Sequence, residues 1–299
     1  MPVHNKCPLC GSDDISGLYE CTDFLVSGDK FPVCSCSSCS FVFTGNYPRS
    51  EEAAAYYSSE DYISHSDTEK GIFNKLYHVA RSFMLSVKFR MLRKISGLES
   101  ASVLDIGSGT GYFPLYLEKK GWQCRGIEIS KEAREYALKK NKLSLLPPEA
   151  MSDLKPGSID IITMWHTLEH FYDPADYLAQ AHNILKDNGL LIIAVPNHLS
   201  YDAKKYGAFW AGWDVPRHLW HFNPATVKLM AGKHHFELLA MKSLPLDAFY
   251  VSVLSEKYRK SSLPLLRGFI IGLLSWIYSV FNTGKSSSLV YFFRRKEFE

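Results

Sequence analysis

The sequence predicts an α/β fold: a doubly wound, mostly parallel seven-stranded sheet with helices on both faces, preceded by a small metal-stapled module. Three observations predict it. Short apolar runs alternate with helical segments from residue 102 onward. A glycine-rich turn, "DIGSGTG" at 105–111, follows the first of those runs. Six of the seven cysteines fall within the first 39 residues. A chain of 299 residues has room for one large domain plus something smaller. Its 46% hydrophobic and 22% charged residues suit a globular protein, and a net charge of +3 gives no case for a nucleic-acid partner. No basic segment leads into an apolar run with a small-residue cleavage site, so a cytoplasmic, reducing setting is expected. Clustered thiols there favour metal over disulfides.

The first module is residues 1–45. Cys7 and Cys10 form C-P-L-C, Cys36 and Cys39 form C-S-S-C, and 25 residues separate the pairs. Two such knuckles set four thiolates at the corners of a tetrahedron, the closed coordination of structural Zn2+. Cys34 stands close enough in sequence to replace Cys36. A closed site leaves no position for substrate, so this zinc ribbon is expected to be architectural. Residues 46–96 follow as a Tyr- and Ser-rich linker, with Tyr56, Tyr57 and Tyr62, and an amphipathic helix from about Thr68 to Ile95 packed on the main domain.

The main domain is expected over 97–299. Val103, Leu104 and Ile106 read as a buried strand; Gly107, Gly109 and Gly111 make a tight loop that opens a helix. The next strand ends at Glu128, placed to accept hydrogen bonds from two ribose hydroxyls. A pyrophosphate ligand fits poorly, because the third glycine comes one residue early and Asp105 repels phosphate. A ligand with a cationic amino group welcomes that carboxylate. Further strands are expected near 143–146, 159–164, 189–195, 234–243 and in "SSLVYFFRRK".

"VLDIGSGTG" with Glu128, "GSIDIITMWHTLEHFYDP" and "NGLLIIAVPN" closely resemble the motifs of class I S-adenosylmethionine-dependent methyltransferases, over roughly Ser102 to Asn197. The resemblance implies a Rossmann-like sheet whose seventh strand runs antiparallel beside the sixth, S-adenosylmethionine as cofactor, and a small-molecule acceptor. It assigns Asp105, Gly107, Ser108, Gly109 and Gly111 to the methionine moiety, Glu128 to the ribose, and Ile129 to one adenine face. Met151 is the candidate adenine contact after strand three, with Ala150 beside it. Met164, Trp165 and His166 end strand four and are expected to approach the sulfonium and acceptor.

"HTLEH", His166 to His170, also matches the H-x-x-E-H pattern of zinc proteases. Its place after a buried parallel strand favours a turn in which Glu169 and His170 hydrogen-bond to backbone. The connection 198–223 departs from the repeating pattern, and "WDVPRHLWHF", Trp213 to Phe222, precedes a helix start at Asn223-Pro224. This insertion is expected to wall the acceptor pocket.

The order of ribbon, tyrosine segment, core and His-rich connection is similar to that of nucleotide-sugar C-methyltransferases. In that family a histidine is the base and an upstream tyrosine lies in the active site. The similarity maps these onto His218 and onto Tyr57 or Tyr62, with His221 a weaker candidate. Arg217 stands where that family has an acidic neighbour, and an arginine there is suited to an acceptor phosphate or carboxylate.

A second insertion, 246–284, contains "GFIIGLLSWIYSVF", Gly268 to Phe281, fourteen residues without a charge. It is expected as a buried or lid helix; the sharper alternative is an interfacial helix, flanked by Lys257, Arg259, Lys260 and Lys285, making peripheral membrane contact. The whole reads as methyl transfer to a sugar-like, polyketide-like or lipid-linked acceptor at oxygen or carbon. The rival is a noncatalytic relative that keeps cofactor or partner binding, against which the intact Asp105, Gly107, Gly109 and Glu128 argue.

Overall fold

The computed structural model describes residues 4–57 and 72–296. Tyr62 and the predicted helix start at Thr68 lie outside the described residues. In chain order come β1 (Ile15–Thr22), β2 (Lys30–Cys36), β3 (Val42–Thr44), α1 (Ile72–Ser96), β4 (Ser102–Ile106), α2 (Tyr112–Lys119), β5 (Gln123–Ile127) and α3 (Lys131–Asn141). Then follow β6 (Ile159–Trp165), α4 (Pro174–Ile184), β7 (Leu185–Pro196), α5 (Tyr201–Tyr206), β8 (Trp220–His221), α6 (Pro224–Lys233), β9 (Phe236–Ser243), α7 (Asp247–Tyr258), α8 (Pro264–Phe281) and β10 (Ser288–Arg295).

The large sheet has the order β5-β4-β6-β7-β10-β9. Strands β4 to β7 pair in parallel, and β10 runs antiparallel between β7 and β9. The reversed strand expected at the sheet's far side is therefore present. Six strands form among the described residues, one fewer than expected. Residues 143–146 contribute only a single parallel bridge, Ile127 to Leu146. Leu143 and Leu145 turn into a small cluster with Ala137, and Pro147 and Pro148 follow at once, removing the donors that would extend the pairing.

Alternation along the strands feeds two cores. Leu104, Ile106, Ile162, Met164, Leu191 and Ile193 face one side; Val103, Ile161, Trp165, Ile192 and Phe292 face the other. Helix α1 covers the second face with Met84, Leu85, Phe89, Leu92 and Ile95, as its apolar spacing predicts.

The N-terminal module is not a separate core. Strands β1, β2 and β3 form an antiparallel sheet, and β8, from the His-rich connection, pairs with β3 as its fourth member. Phe41 and Phe43 pack in one cluster with Trp220, Phe222 and the first face of the large sheet. Phe31, Val33 and Val42 pack with Trp210, Trp213 and Val215. Ribbon and connection thus share a seam. At its outer end Asp202 is fully buried and accepts from Trp210 Nε1 at 2.8 Å, Ser275 Oγ at 2.6 Å and Ser287 Oγ at 2.7 Å, tying α5, α8 and the start of β10 together.

The apolar run expected as a buried or lid helix lies at the surface. Helix α8 turns small residues inward, Gly268, Gly272, Ser275 and Ser279, with the two glycines against α7 and Ser275 bonded to Asp202 of α5. A Cβ on Gly268 would come 2.5 Å from Val253 Cα, and one on Gly272 2.7 Å from Phe249 Cα, so the two backbones meet where no larger residue fits. The large side chains, among them Leu266, Phe269, Ile270, Trp276 and Phe281, face outward. By length and composition this 18-residue helix is long and apolar enough to cross a membrane, and only 22% of it is buried.

Candidate active site

The glycine-rich loop leaves β4 and enters α2 with Gly107, Gly109 and Gly111 all at positive φ. At Gly107 a Cβ would lie 2.3 Å from Thr167 Oγ1, so only glycine lets the loop close against the turn after β6. The amides of Gly107 and Ser108 donate to Ile127 O at 2.8 and 2.9 Å, and Ser108 Oγ donates to Asp105 O at 2.8 Å. Glu128, at the tip of β5, accepts from Gly109 N at 2.7 Å and from Ser130 N at 2.8 Å. Each carboxylate oxygen keeps a further lone pair that can accept a ribose hydroxyl. Ile129 beside it is 79% exposed, free to lie against a flat ring. Met151, by contrast, is buried in the core with Leu154 and Ile159, and Met164 is fully buried in β6. Neither side chain is presented to the loop's open side.

Asp105 is buried and accepts from Thr163 Oγ1 at 2.6 Å. Burial raises its carboxyl to about 6, against the pull of Thr163 and of the Lys88 ammonium. Lys88, from α1, was not marked by any motif; it lies 4.3 Å from the Trp165 ring centroid. An ammonium over an indole face is favoured by the ring quadrupole. Its signal in the sequence was only one cation among several between apolar helix positions.

His166 breaks from β6 with φ +54. Its Nε2 lies 3.1 Å from Asp247 Oδ2 on α7, and its Nδ1 3.6 Å from Glu169 Oε1. Burial alone would lower its pKa, but Asp247 and Glu169 outweigh that and raise it to about 9. Asp247 too escaped the sequence motifs, being more than 80 residues downstream in the second insertion.

Beyond this turn Glu169, His170 and His218 gather. His218 Nδ1 lies 2.9 Å from Gly212 O, and His170 Nδ1 lies 3.1 Å from Arg217 O and 3.2 Å from the Tyr57 hydroxyl. The two imidazoles meet edge to face, with centroids 4.6 Å apart. Burial, then the neighbouring His218, pushes His170 down to about 4. Burial would raise Glu169, but His166, His218 and His170 hold it below its usual range. Tyr57 and His218, paired as candidates by the sequence, are therefore brought to one cluster. The expected backbone anchoring of the turn holds for His170 and fails for Glu169, whose carboxylate oxygens have no hydrogen-bond partner among the described residues.

Two expectations for the His-rich connection are corrected. Arg217 does not face an acceptor: its side chain is 1% exposed, with Nη2 at 2.9 Å from Asp23 and 2.7 Å from Asp214, Nε on Asp214, and Nη1 donating to Tyr56 O. A buried guanidinium with most of its N–H donors forked onto two carboxylates and a carbonyl is committed to the seam and not to a ligand. His221 is turned into the seam, its Nε2 2.9 Å from Thr44 Oγ1 and its ring edge-on to Trp213, so it stands apart from the cluster. Its neutral form is enforced by burial.

In the ribbon, Cys7, Cys10, Cys36 and Cys39 bring their Sγ atoms within 4.8 Å of one another. The pairs Cys7–Cys39 and Cys10–Cys36 are each 3.6 Å apart, close to the ~3.8 Å edge of a tetrahedron with zinc–sulfur bonds near 2.3 Å. Cys36, not Cys34, belongs to the set. Cys34 instead abuts the Gly45 turn, where a Cβ would meet its Sγ at 3.3 Å.

Residues 79–241 match a family model described as a methyltransferase domain. The ubiquinone biosynthesis O-methyltransferase of Nitrosococcus oceani is 26% identical over 186 residues, covering 58% of this chain and 77% of that protein. That of Vibrio cholerae is 30% identical over 114 residues, 36% of this chain and 46% of its own, so the match spans about half the length of that relative. Among solved structures, the magnesium protoporphyrin IX methyltransferase of Synechocystis with bound SAH superposes with a TM-score of 0.54 at 12% identity, over 82% of this chain and all of that one. At that identity it speaks to the fold.

Proposed function

Because the chain belongs to the methyltransferase-domain family and is a S-adenosylmethionine-dependent methyltransferase, we propose that its acceptor is a lipophilic small molecule methylated on oxygen. The observation that carries this reading is α8, whose apolar face is turned outward on a hairpin that also supplies Asp247 to His166. A surface of this kind, with Lys257, Arg259, Lys260 and Lys285 around it, suits a membrane interface from which a lipid-linked acceptor is drawn. The O-methyltransferases of ubiquinone biosynthesis among its relatives lend support.

When bound, the cofactor supplies a sulfonium methyl for in-line displacement. The chain's own work is positioning and exclusion of water. The Gly107–Gly111 loop and Asp105 hold the methionine end, Glu128 the ribose, and Ile129 one adenine face. Trp165 and His166 would border the methyl, and His218 and His170, the latter in contact with the Tyr57 hydroxyl, would line the acceptor side. Cys7, Cys10, Cys36 and Cys39 hold a structural Zn2+ that keeps the acceptor wall in place.

Transfer of labelled methyl to a quinol carrying an isoprenoid tail, against its tail-less counterpart, tests the acceptor. The tailed quinol is expected to react at least about tenfold faster, as burial of a few methylenes allows; equal rates would remove the lipophilic reading. Co-sedimentation with anionic vesicles is expected for the wild type and lost on Phe269→Asp with Ile270→Asp. Equal recovery in the supernatant would count against membrane contact.

A further inference from the structure

Glu169, His170 and His218 each bring one metal-ligating atom to within 4.8 Å of the other two. Glu169 is fully buried, and among the described residues neither of its oxygens has a hydrogen-bond partner. The His166 Nδ1 at 3.6 Å is beyond hydrogen-bonding reach. His166 offsets part of its charge as an ion pair, but no donor fills the carboxylate's lone pairs among the described residues, and a coordinated cation would fill them.

The two imidazoles are set up to receive that cation. His218 Nδ1 faces Gly212 O and His170 Nδ1 faces Arg217 O. A carbonyl only accepts, so His218 Nδ1 carries the ring proton; His170 Nδ1, 3.1 Å from Arg217 O, donates to that carbonyl with the Tyr57 hydroxyl oxygen at 3.2 Å as a second acceptor, and in this tautomer each Nε2 keeps its lone pair. Metal-ligating histidines generally donate their other ring N–H to a carbonyl or carboxylate in this way. Asp214, held by Arg217, adds negative charge 3.8 Å from His218 Nε2.

We propose that Glu169, His170 and His218 bind a divalent transition-metal ion, at a second site separate from the four cysteines. Two imidazoles and one carboxylate suit Zn2+, Fe2+ or Co2+ and leave coordination positions open. An acceptor oxygen fills one of them, and His218 serves as a ligand, not as a free base. The acceptor's part in this rests on the function proposed above; the metal site itself does not.

Titrating the metal-free full-length protein with Co2+, followed by ultraviolet and visible absorption, tests it. Two equivalents are expected per chain. One shows the thiolate-to-cobalt charge-transfer bands of the cysteine site, and the other shows visible ligand-field bands without them. Glu169→Gln and His218→Ala are expected to keep the first and weaken the second at least about a hundredfold, in line with losing one ligand. A wild type that takes only the thiolate equivalent would overturn the proposal, as would variants that keep both. Glu169→Gln preserves shape and remains decisive if His218→Ala fails to fold. S-adenosylmethionine binding by calorimetry in the same samples separates the two readings: its loss in the wild type would sink the methyltransferase function without altering the cobalt count.

Discussion

The glycine-rich loop and the proposed acceptor wall both lie at the carboxyl ends of the parallel strands, yet they are held by different means. The loop is fastened by main-chain groups close in sequence: Gly109 N to Glu128, 19 residues apart, and Ser108 Oγ to Asp105 O, three apart. The wall is fastened by side chains from distant places: Asp23 with Arg217, 194 residues apart, Thr44 with His221, 177 apart, and Tyr57 with His170, 113 apart. The loop itself can therefore form from one stretch of chain. The acceptor side exists only once the N-terminal module is in place.

Breaking the ribbon should separate the two most sharply. Structural zinc sites contribute on the order of 10 kcal/mol in small domains, so Cys36→Ser is expected to unravel the ribbon and with it the wall. Methyl transfer should vanish while calorimetry finds cofactor affinity changed by less than about threefold; loss of cofactor binding would show that the sides are not independent. Next comes the buried ion pair at the seam. Asp23→Ala leaves Arg217 charged and under-partnered, at a cost of about 3–5 kcal/mol measured by urea denaturation.

The loop has its own lever. Asp105 is charged only above about 6, so cofactor affinity should fall as pH drops through that value, by up to about tenfold per unit, as the partner of the ligand's ammonium is neutralised. The sign for the fold is opposite. A carboxyl raised from 3.8 to about 6 contributes stability that is fully present below 3.8 and is lost as pH rises through 6. Asp105→Asn should flatten both curves, and an unchanged binding profile in that variant would exclude Asp105 as the cause. The smallest effect belongs to the cap of α6. Asn223 Oδ1 accepts from Ala225 N and Thr226 N, and its Nδ2 donates to Ser40 O. Asn223→Ala should cost about 1 kcal/mol in thermal or chemical denaturation, without touching cofactor affinity.

This contrast also explains what could be read before the coordinates. The loop, Glu128 and the four-cysteine set were legible because contiguous motifs and spacing carry them, and the reversed final strand followed from the family resemblance alone. Arg217 misled because its neighbours in sequence suggest a pocket, whereas its partners, Asp23 and Tyr56, come from the ribbon side. Lys88, from the packing helix α1, and Asp247, from the second insertion, reach this end of the sheet from far along the chain, so no local pattern marks them. The apolar helix α8 was visible as apolar, but its direction was not. Gly268, Gly272, Ser275 and Ser279 form the inward face because the backbones of α7 and α8 come together, which the hydrophobic pattern alone would have reversed. The missing third strand, expected at 143–146, turns on Pro147 and Pro148 after Leu146, where propensity gave way to lost donors.

The pairing of β8 with β3 has a consequence for how the chain is made. Residues 42–44 leave the ribosome early with one edge bare, and the two residues that cover it, Trp220 and His221, emerge only after some 175 more have been joined. Closing so long a loop is entropically expensive, and an uncovered edge is a template for the wrong neighbour. Until that late strand arrives, the small sheet is an open-sided raft, and a chain stalled before residue 220 would carry an exposed edge into a crowded cell.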